Sequence, residues 1–363
     1  MGLISFARGV PAPECLPTRE LADCARAVFE RDGETALNYG PAGGYGPLRE
    51  WLAERHGVAA GQIVLTNGSL QGLDLVIGHF AAERRLIVEA PTYDRALRTA
   101  ARHGIDVAGV PHDEEGIDPE ALAGELARDP RPALLYLLPT FQNPSGRTIS
   151  LERRLRVLEL AEAHGLIVLE DDPYRLVRFD GDDVASVHEL AGGERVLHSS
   201  SFSKIVAPGL RVGYLVAPPG MAGELEAVAA GTYLTPAFST QAIVFEFLQR
   251  GLLEPNVERV CGLLRDRRDA LLSALESELP AASWSTPAGG YFLWLELPAG
   301  VSAGDALAAG EGAGVTFVAG GDFFVRPEDG AGTARLAFSF ASVEEIGEGV
   351  QRLAGALTAT AAA

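Results

Sequence analysis

Between about residue 47 and residue 217 the chain alternates apolar, β-branched runs with amphipathic stretches. That alternation limits the available folds more than any other feature. Strand-like runs fall at 63–65, 86–89, 107–110, 134–138, 167–170, 195–199 and 212–216, and helical spacing fills intervals such as 151–164. Strands of this kind, separated by helices, predict an α/β fold with a mostly parallel, seven-stranded sheet covered on both faces. The pattern changes further on. Long helices are expected over about 237–279, and short strands at 291–297, 316–318 and 334–339. Further helices are expected at about 303–311 and 343–357. This second part reads as a smaller α+β C-terminal domain. The expected division is an N-terminal arm and segment packing on the small domain (1–40), a large domain (41–245) and the small domain (246–363). A short helix is expected around 21–31, and the Ala-rich tail at 357–363 should fray.

Composition removes several function classes. With 30 Lys plus Arg against 49 Asp plus Glu, the net charge is −19, a poor match for nucleic acid or an anionic membrane. No apolar run approaches the roughly 20 residues that span a bilayer. The opening residues lack a basic segment followed by an apolar stretch, so no secretory signal is expected. Cys15, Cys24 and Cys261 form no CxxC pair, which argues against a disulfide scaffold or zinc ribbon and suits a reducing cytoplasm.

Four segments carry residues suited to chemistry. In Ser199-Ser200-Ser201-Phe202-Ser203-Lys204 a strand ends in hydroxyls and a lysine, with Arg211 seven residues on. An amine in such a loop suits Schiff-base formation, kept deprotonated by nearby cations, while the hydroxyls can hold a phosphate. A solvent-exposed lysine in a polar loop is the plainer alternative. In 166–174 an apolar strand ends in Glu170-Asp171-Asp172-Pro173-Tyr174, at the carboxyl end where open α/β sheets place ligands. A carboxylate there can pair with a protonated pyridine nitrogen, and a metal cluster or solvated charge is the alternative. The seven histidines show no HxxxH spacing, so no metal site is expected. Gly68-Ser69-Leu70 opens an amphipathic helix whose N-terminus is a ready phosphate site, although Ser69 also suits an ordinary cap. Finally, Gln142-Asn143-Pro144-Ser145-Gly146 follows a buried strand and offers either a turn or an amide donor to a phenolate oxygen.

In combination and order, the stretches S-x-S-K-x-x-x-P-G-L-R-x-G, E-D-D-P-Y and Q-N-P-S-G resemble the fold-type I pyridoxal 5′-phosphate (PLP) enzymes. Class I/II aminotransferases of the kynurenine/2-aminoadipate group are the nearest likeness, and MocR-type regulators carry a related domain. The resemblance runs from about residue 5 to 357. It implies PLP as cofactor, an L-amino acid and a 2-oxo acid as substrates, a ping-pong amino-group transfer and a homodimer. It implies Lys204 as the internal aldimine and proton shuttle, Asp171 as partner of the pyridine nitrogen, and Tyr174 and Asn143 as hydrogen-bond partners of the cofactor's phenolic oxygen. Tyr93 would stack on the ring. Gly68, Ser69, the Leu70 backbone, Ser201, Ser203 and Arg211 would hold the phosphate, joined by Tyr39 from the neighbouring subunit. Arg335 and Asn143 would hold the substrate, with Arg335 on its α-carboxylate, and Gly9 would bring backbone to the mouth.

Three positions depart from the group. Leu70 stands where relatives often carry a polar side chain, Ser145 replaces a threonine, and Arg8 occupies a usual glycine position. A long cation at the mouth either favours an acidic substrate group or is a surface residue. No winged-helix segment is expected ahead of this chain, so the regulator form is set aside. Decarboxylation, elimination, oxidation or a PLP-binding sensor remain alternatives to transamination. A nicotinamide-dependent dehydrogenase is not supported, because no GxGxxG follows an early strand, and the GxSxG spacing of a nucleophile elbow is absent.

Overall fold

The computed structural model describes residues 2–82, 84–129 and 131–361. Its large sheet has the strand order Ile63–Thr66, Gly213–Val216, Val196–Ser201, Ile167–Asp171, Pro132–Leu137, Arg85–Ala90, Asp106–Asp113 and Gly116–Ile117. The four central pairings, from Val196–Ser201 across to Asp106–Asp113, are parallel. Gly213–Val216 runs antiparallel to both of its neighbours. The sheet therefore has eight strands rather than seven. The addition, Gly116–Ile117, folds back on Asp106–Asp113 and is too short to leave a periodic signal.

Side-chain alternation along these strands builds a core on each face. Leu169, Leu197 and Leu215 pack with Leu73 and Val76 of helix Ser69–Phe80 and Leu225 of helix Met221–Tyr233. Val168, Val196 and Leu135 face the other way, onto Val157 and Leu160 of helix Leu151–His164. That helix starts where the Ser150 hydroxyl accepts a hydrogen bond from the Arg153 N–H, and it stops at Gly165, whose φ of 65° is left-handed.

The smaller sheet is antiparallel, in the order Ser283–Trp284, Phe292–Glu296, Thr333–Ala337 and Val318–Ala319. The single strand expected at 316–318 is divided. Val315–Thr316 pairs with Ile4–Ser5 near the N-terminus, and Val318–Ala319 joins the sheet. Helix Thr18–Ala36 is longer than the expected 21–31, and helix Phe238–Gln249 crosses the expected 245/246 boundary. Helix Val343–Ala361 continues into the Ala-rich tail, whose last two residues lie outside the described part. Among the described residues no helix is long and apolar enough to cross a membrane.

One buried cation fastens the loop after strand Pro132–Leu137 to the helix behind it. Arg154 is fully buried and donates to the carbonyls of Ile149 (3.0 Å), Ala185 (3.0 Å) and Pro139 (2.8 Å), and to Thr140 Oγ1 (3.1 Å). Arg154→Met would take its donors from the Ile149 and Ala185 carbonyls, at about 1–3 kcal/mol for each one orphaned, whereas the Pro139 carbonyl keeps the Ile149 N–H. The expected result is a loss of stability of at least about 2 kcal/mol, read as a lower midpoint in urea unfolding.

Candidate active site

A cleft of about 640 Å³ opens at the carboxyl ends of the central strands, between the two sheets. Ser69, Leu70, Tyr93, Asn143, Asp171, Tyr174, Ser201, Ser203, Lys204, Arg211, Arg335 and Gly9 all line it. Gly68 lies directly behind Ser69. Tyr39 does not reach it: its side chain is 79% exposed on the same protomer.

Alternation at the end of strand Ile167–Asp171 separates three consecutive acids. Glu170 accepts hydrogen bonds from the Val187 and His188 N–H groups and pairs with His198. Asp172 lines a different cavity, with His56 and His198. Asp171 alone enters the large cleft, so the sequence's acidic run is not one cluster. Tyr136 donates its hydroxyl to Asp171 Oδ2 at 2.9 Å, whereas Oδ1 is buried without a partner. Burial pushes the Asp171 carboxyl up to about 6, against the opposing pull of the Tyr136 hydrogen bond.

Lys204 is the chain's single lysine, set against 29 arginines. Its Nζ donates to the Gly9 carbonyl at 2.9 Å and lies 5.7 and 5.2 Å from the ring centroids of Tyr174 and Tyr291. Desolvation first, then the Arg335 and Arg211 charges, lower it to about 8, while Asp171 acts in the opposite direction. The Tyr291 hydroxyl donates to the Lys204 carbonyl at 2.9 Å and holds its backbone.

Arg335 is 8% exposed and sits 4.5 Å from the Phe292 ring centroid and 5.1 Å from that of Phe323. Its two terminal nitrogens donate to Asn143 Oδ1 (3.0 Å) and the Ala7 carbonyl (2.8 Å), and its Nε is buried without a partner. Because Asn143 spends its oxygen on Arg335, its amide N–H₂ remains to donate. Burial lowers the Arg335 guanidinium and raises the Tyr93 phenol to about 12.

At the other end of the cleft, helix Ser69–Phe80 presents its N-terminal N–H groups. Gly68 has φ +90°, and a Cβ there would strike the Arg211 guanidinium. A Cβ on Gly213 would strike the Ser69 nitrogen. Arg211 itself is held in the left-handed region at φ +53°. The two glycines thus let a cation, a helix end and the Ser201–Ser203 hydroxyls converge.

Sequence reasoning missed Tyr136 and Tyr291. Tyr136 had a signal: a phenol in an otherwise apolar buried strand needs a partner for its hydroxyl. Tyr291 had none, because its partner is a backbone carbonyl 87 residues away.

A weakly basic amine, a half-satisfied carboxylate and an arginine fork with an open donor are groups suited to condensing an amine with a carbonyl and to gripping a carboxylate. Comparisons with known proteins agree. The family model "Aminotransferase class I and II" matches residues 11–353. The 2-aminoadipate transaminase of Thermus thermophilus is 40% identical over 98% of this chain and 90% of its own length. Aromatic-amino-acid aminotransferase 1 of Thermococcus litoralis is 35% identical over 97% of this chain and 87% of its own. The solved α-aminoadipate aminotransferase of Thermus thermophilus, complexed with N-(5′-phosphopyridoxyl)-L-leucine, superimposes with a TM-score of 0.94. It is 39% identical and covers 99% of this chain and 93% of its own. The chain belongs to the class I and II aminotransferases and is a PLP-dependent enzyme of fold type I.

The residues present fit that cofactor. The free Asp171 oxygen suits a cationic ring N–H, which would draw its carboxyl back toward the charged form. The Asn143 amide suits a phenolate, and the Gly68–Ser69 cradle with Arg211 suits a phosphate. In the cofactor-free protein, Lys204 should titrate at about 8. Removing a neighbouring positive charge raises this value and removing a negative one lowers it. Arg335→Met should therefore move the midpoint up and Asp171→Asn should move it down. The measurement is the pH dependence of acylation at the Lys204 peptide, followed by mass spectrometry.

Proposed function

We propose that Lys204 is the catalytic amine, and that the cleft transfers the amino group of an L-amino acid to a 2-oxo acid in two half-reactions. The observation that carries this reading is the Lys204 amine, lowered to about 8 within the cleft that also holds the Arg335 fork. When bound, PLP supplies an electron sink for the pair left on the substrate Cα. Arg335 binds the α-carboxylate bidentately through donors that its aromatic neighbours and Asn143 hold in place. Lys204, uncharged in part near neutral pH, takes the Cα proton and returns it on the other side of the transfer. Asp171, positioned by Tyr136, would pair its negative charge with the ring nitrogen, and Tyr93 would stack on the ring. Tyr174 and Asn143 would hydrogen-bond the phenolic oxygen. Ser69, the Leu70 N–H, Ser201, Ser203 and Arg211 would hold the phosphate. Leu70 contributes backbone only, and its side chain is 40% exposed. The large unit carries the cofactor groups, and the smaller one supplies Arg335.

Tyr39 completes the phosphate site of a second copy of the chain. Its exposure, together with that of Leu37 and Leu234, supports a homodimer. Three buried free cysteines support a cytoplasmic setting.

Adding L-amino acids one at a time, without oxo acid, to the PLP-loaded protein should convert the bound cofactor's absorption to that of its aminated form and release the matching 2-oxo acid. Lys204→Ala should abolish that change, and unchanged turnover in this variant would falsify the assignment. Tyr39→Phe should weaken PLP binding about tenfold, the scale of one charge-assisted hydrogen bond. At a PLP concentration that limits the Tyr39→Phe protein, mixing it with Lys204→Ala protein should raise activity if Tyr39 acts across the dimer. A Tyr39 acting within its own protomer gives no recovery.

A further inference from the structure

Arg8 is a cleft cation that the assignments above leave without a task. It lines the same cleft as Lys204 and Arg335. Its guanidinium carbon lies 4.4 Å from the centroid of the Phe340 ring, within range of a cation–π contact. Its backbone is held too, because the Ser339 hydroxyl donates to the Val10 carbonyl at 2.9 Å and contacts the Arg8 carbonyl at 3.3 Å. Ser339 and Phe340 follow the strand that carries Arg335. The segment that fixes the α-carboxylate fork therefore also fixes Arg8.

The charges around the cleft decide what Arg8 can bind. Arg95 and Arg98 share Asp94, at 3.6 and 3.2 Å. Arg211 faces the phosphate cradle, and Arg335 has its amide and carbonyl partners. Arg8 has a ring beneath it and no carboxylate partner among the described residues. Asp322, also on the cleft wall, carries the opposite sign but is exposed, and its charge bears on Arg335. On a chain of net charge −19, a cation at the cleft mouth with no acid beside it attracts and orients an anion.

We propose that Arg8 is a specificity-determining residue that receives the side-chain carboxylate of an acidic amino acid, or of the matching dicarboxylic 2-oxo acid. The ring under the guanidinium limits its rotamers, so little ordering cost remains when the second carboxylate arrives. The amino-acid backbone groups go to Arg335 and Lys204, and the side chain extends toward Arg8. This inference rests on the aminotransferase reading of the cleft for its substrate, although carboxylate binding can be measured without turnover.

The test uses the PLP-loaded protein and Arg8→Met, which keeps an unbranched apolar side chain over Phe340. Half-reaction rates are compared for L-glutamate and L-2-aminoadipate against L-leucine and L-ornithine. Binding of glutarate, which cannot react, is measured by calorimetry against butyrate. Wild type should prefer the acidic amino acids. Arg8→Met should reduce the acidic-to-neutral ratio, and the glutarate-to-butyrate affinity ratio, by about tenfold or more, the scale of a charge-assisted pair. Arg8→Lys should restore part of each ratio. Equal ratios in wild type and Arg8→Met would overturn the proposal, as would a wild-type preference for ornithine. If no amino acid reacts while glutarate still depends on Arg8, the aminotransferase reading fails and the carboxylate site stands.

Discussion

The hydrogen bond from Lys204 Nζ to the Gly9 carbonyl joins parts of the chain that are 195 residues apart, and much of the cleft is arranged around it. The Ala7 carbonyl, two residues earlier, accepts from Arg335. One short extended segment therefore touches both the amine and the carboxylate fork, and its own beginning is pinned by the pairing of Ile4–Ser5 with Val315–Thr316. Gly9 has no side chain because a Cβ there would strike the Phe292 ring, on which Arg335 is stacked. The electrostatics follow from this closeness. Desolvation and the Arg335 charge act together on Lys204, so the guanidinium beside the amine helps to keep it weakly basic.

The cofactor end of the cleft depends on backbone approach. Strand Gly213–Val216 lies antiparallel between Ile63–Thr66 and Val196–Ser201. That insertion brings Arg211 alongside Asn67, whose carbonyl accepts from its guanidinium at 3.2 Å. A side chain at Gly68 would force the cation away from the helix end, and one at Gly213 would force the helix end away from the strand. The strained φ of Arg211 has the same origin, since its backbone must turn sharply to enter the strand while its side chain turns back to the cradle.

Much of this was legible in the sequence. Long apolar runs at strand spacing announced a sheet buried on both faces, because such strands are unstable exposed. The carboxyl ends of the strands and the segments after them held more than half of the cleft residues, because backbone ends there are free to carry polar groups. What escaped has physical reasons. Gly116–Ile117 is a hairpin return of two residues and carries no period. The run 315–319 divides between two sheets because Phe317 is buried between pairs that face different partners, a choice made by tertiary contacts alone. The three acids at 170–172 looked like one cluster in sequence, yet strand alternation sends them to different surroundings. The links from Tyr136 and Tyr291 depend on register between distant strands and loops. The role expected of Tyr39 rests on a motif alone, since its side chain is exposed and does not line the cleft of its own protomer.

The imbalance between arginine and lysine has a practical side. Apart from the chain's N-terminal amine, the only primary amine lies inside the cleft, while 29 guanidiniums supply the other side-chain cations. Arginine stays charged and is a poor nucleophile under ordinary coupling conditions. Attachment to a support through amines would therefore proceed through the terminus or at the expense of the cleft. By the same reasoning, each lysine introduced on the surface becomes a nearly unique handle. The molecule is thus suited to oriented immobilisation and to single-site labelling for distance measurements.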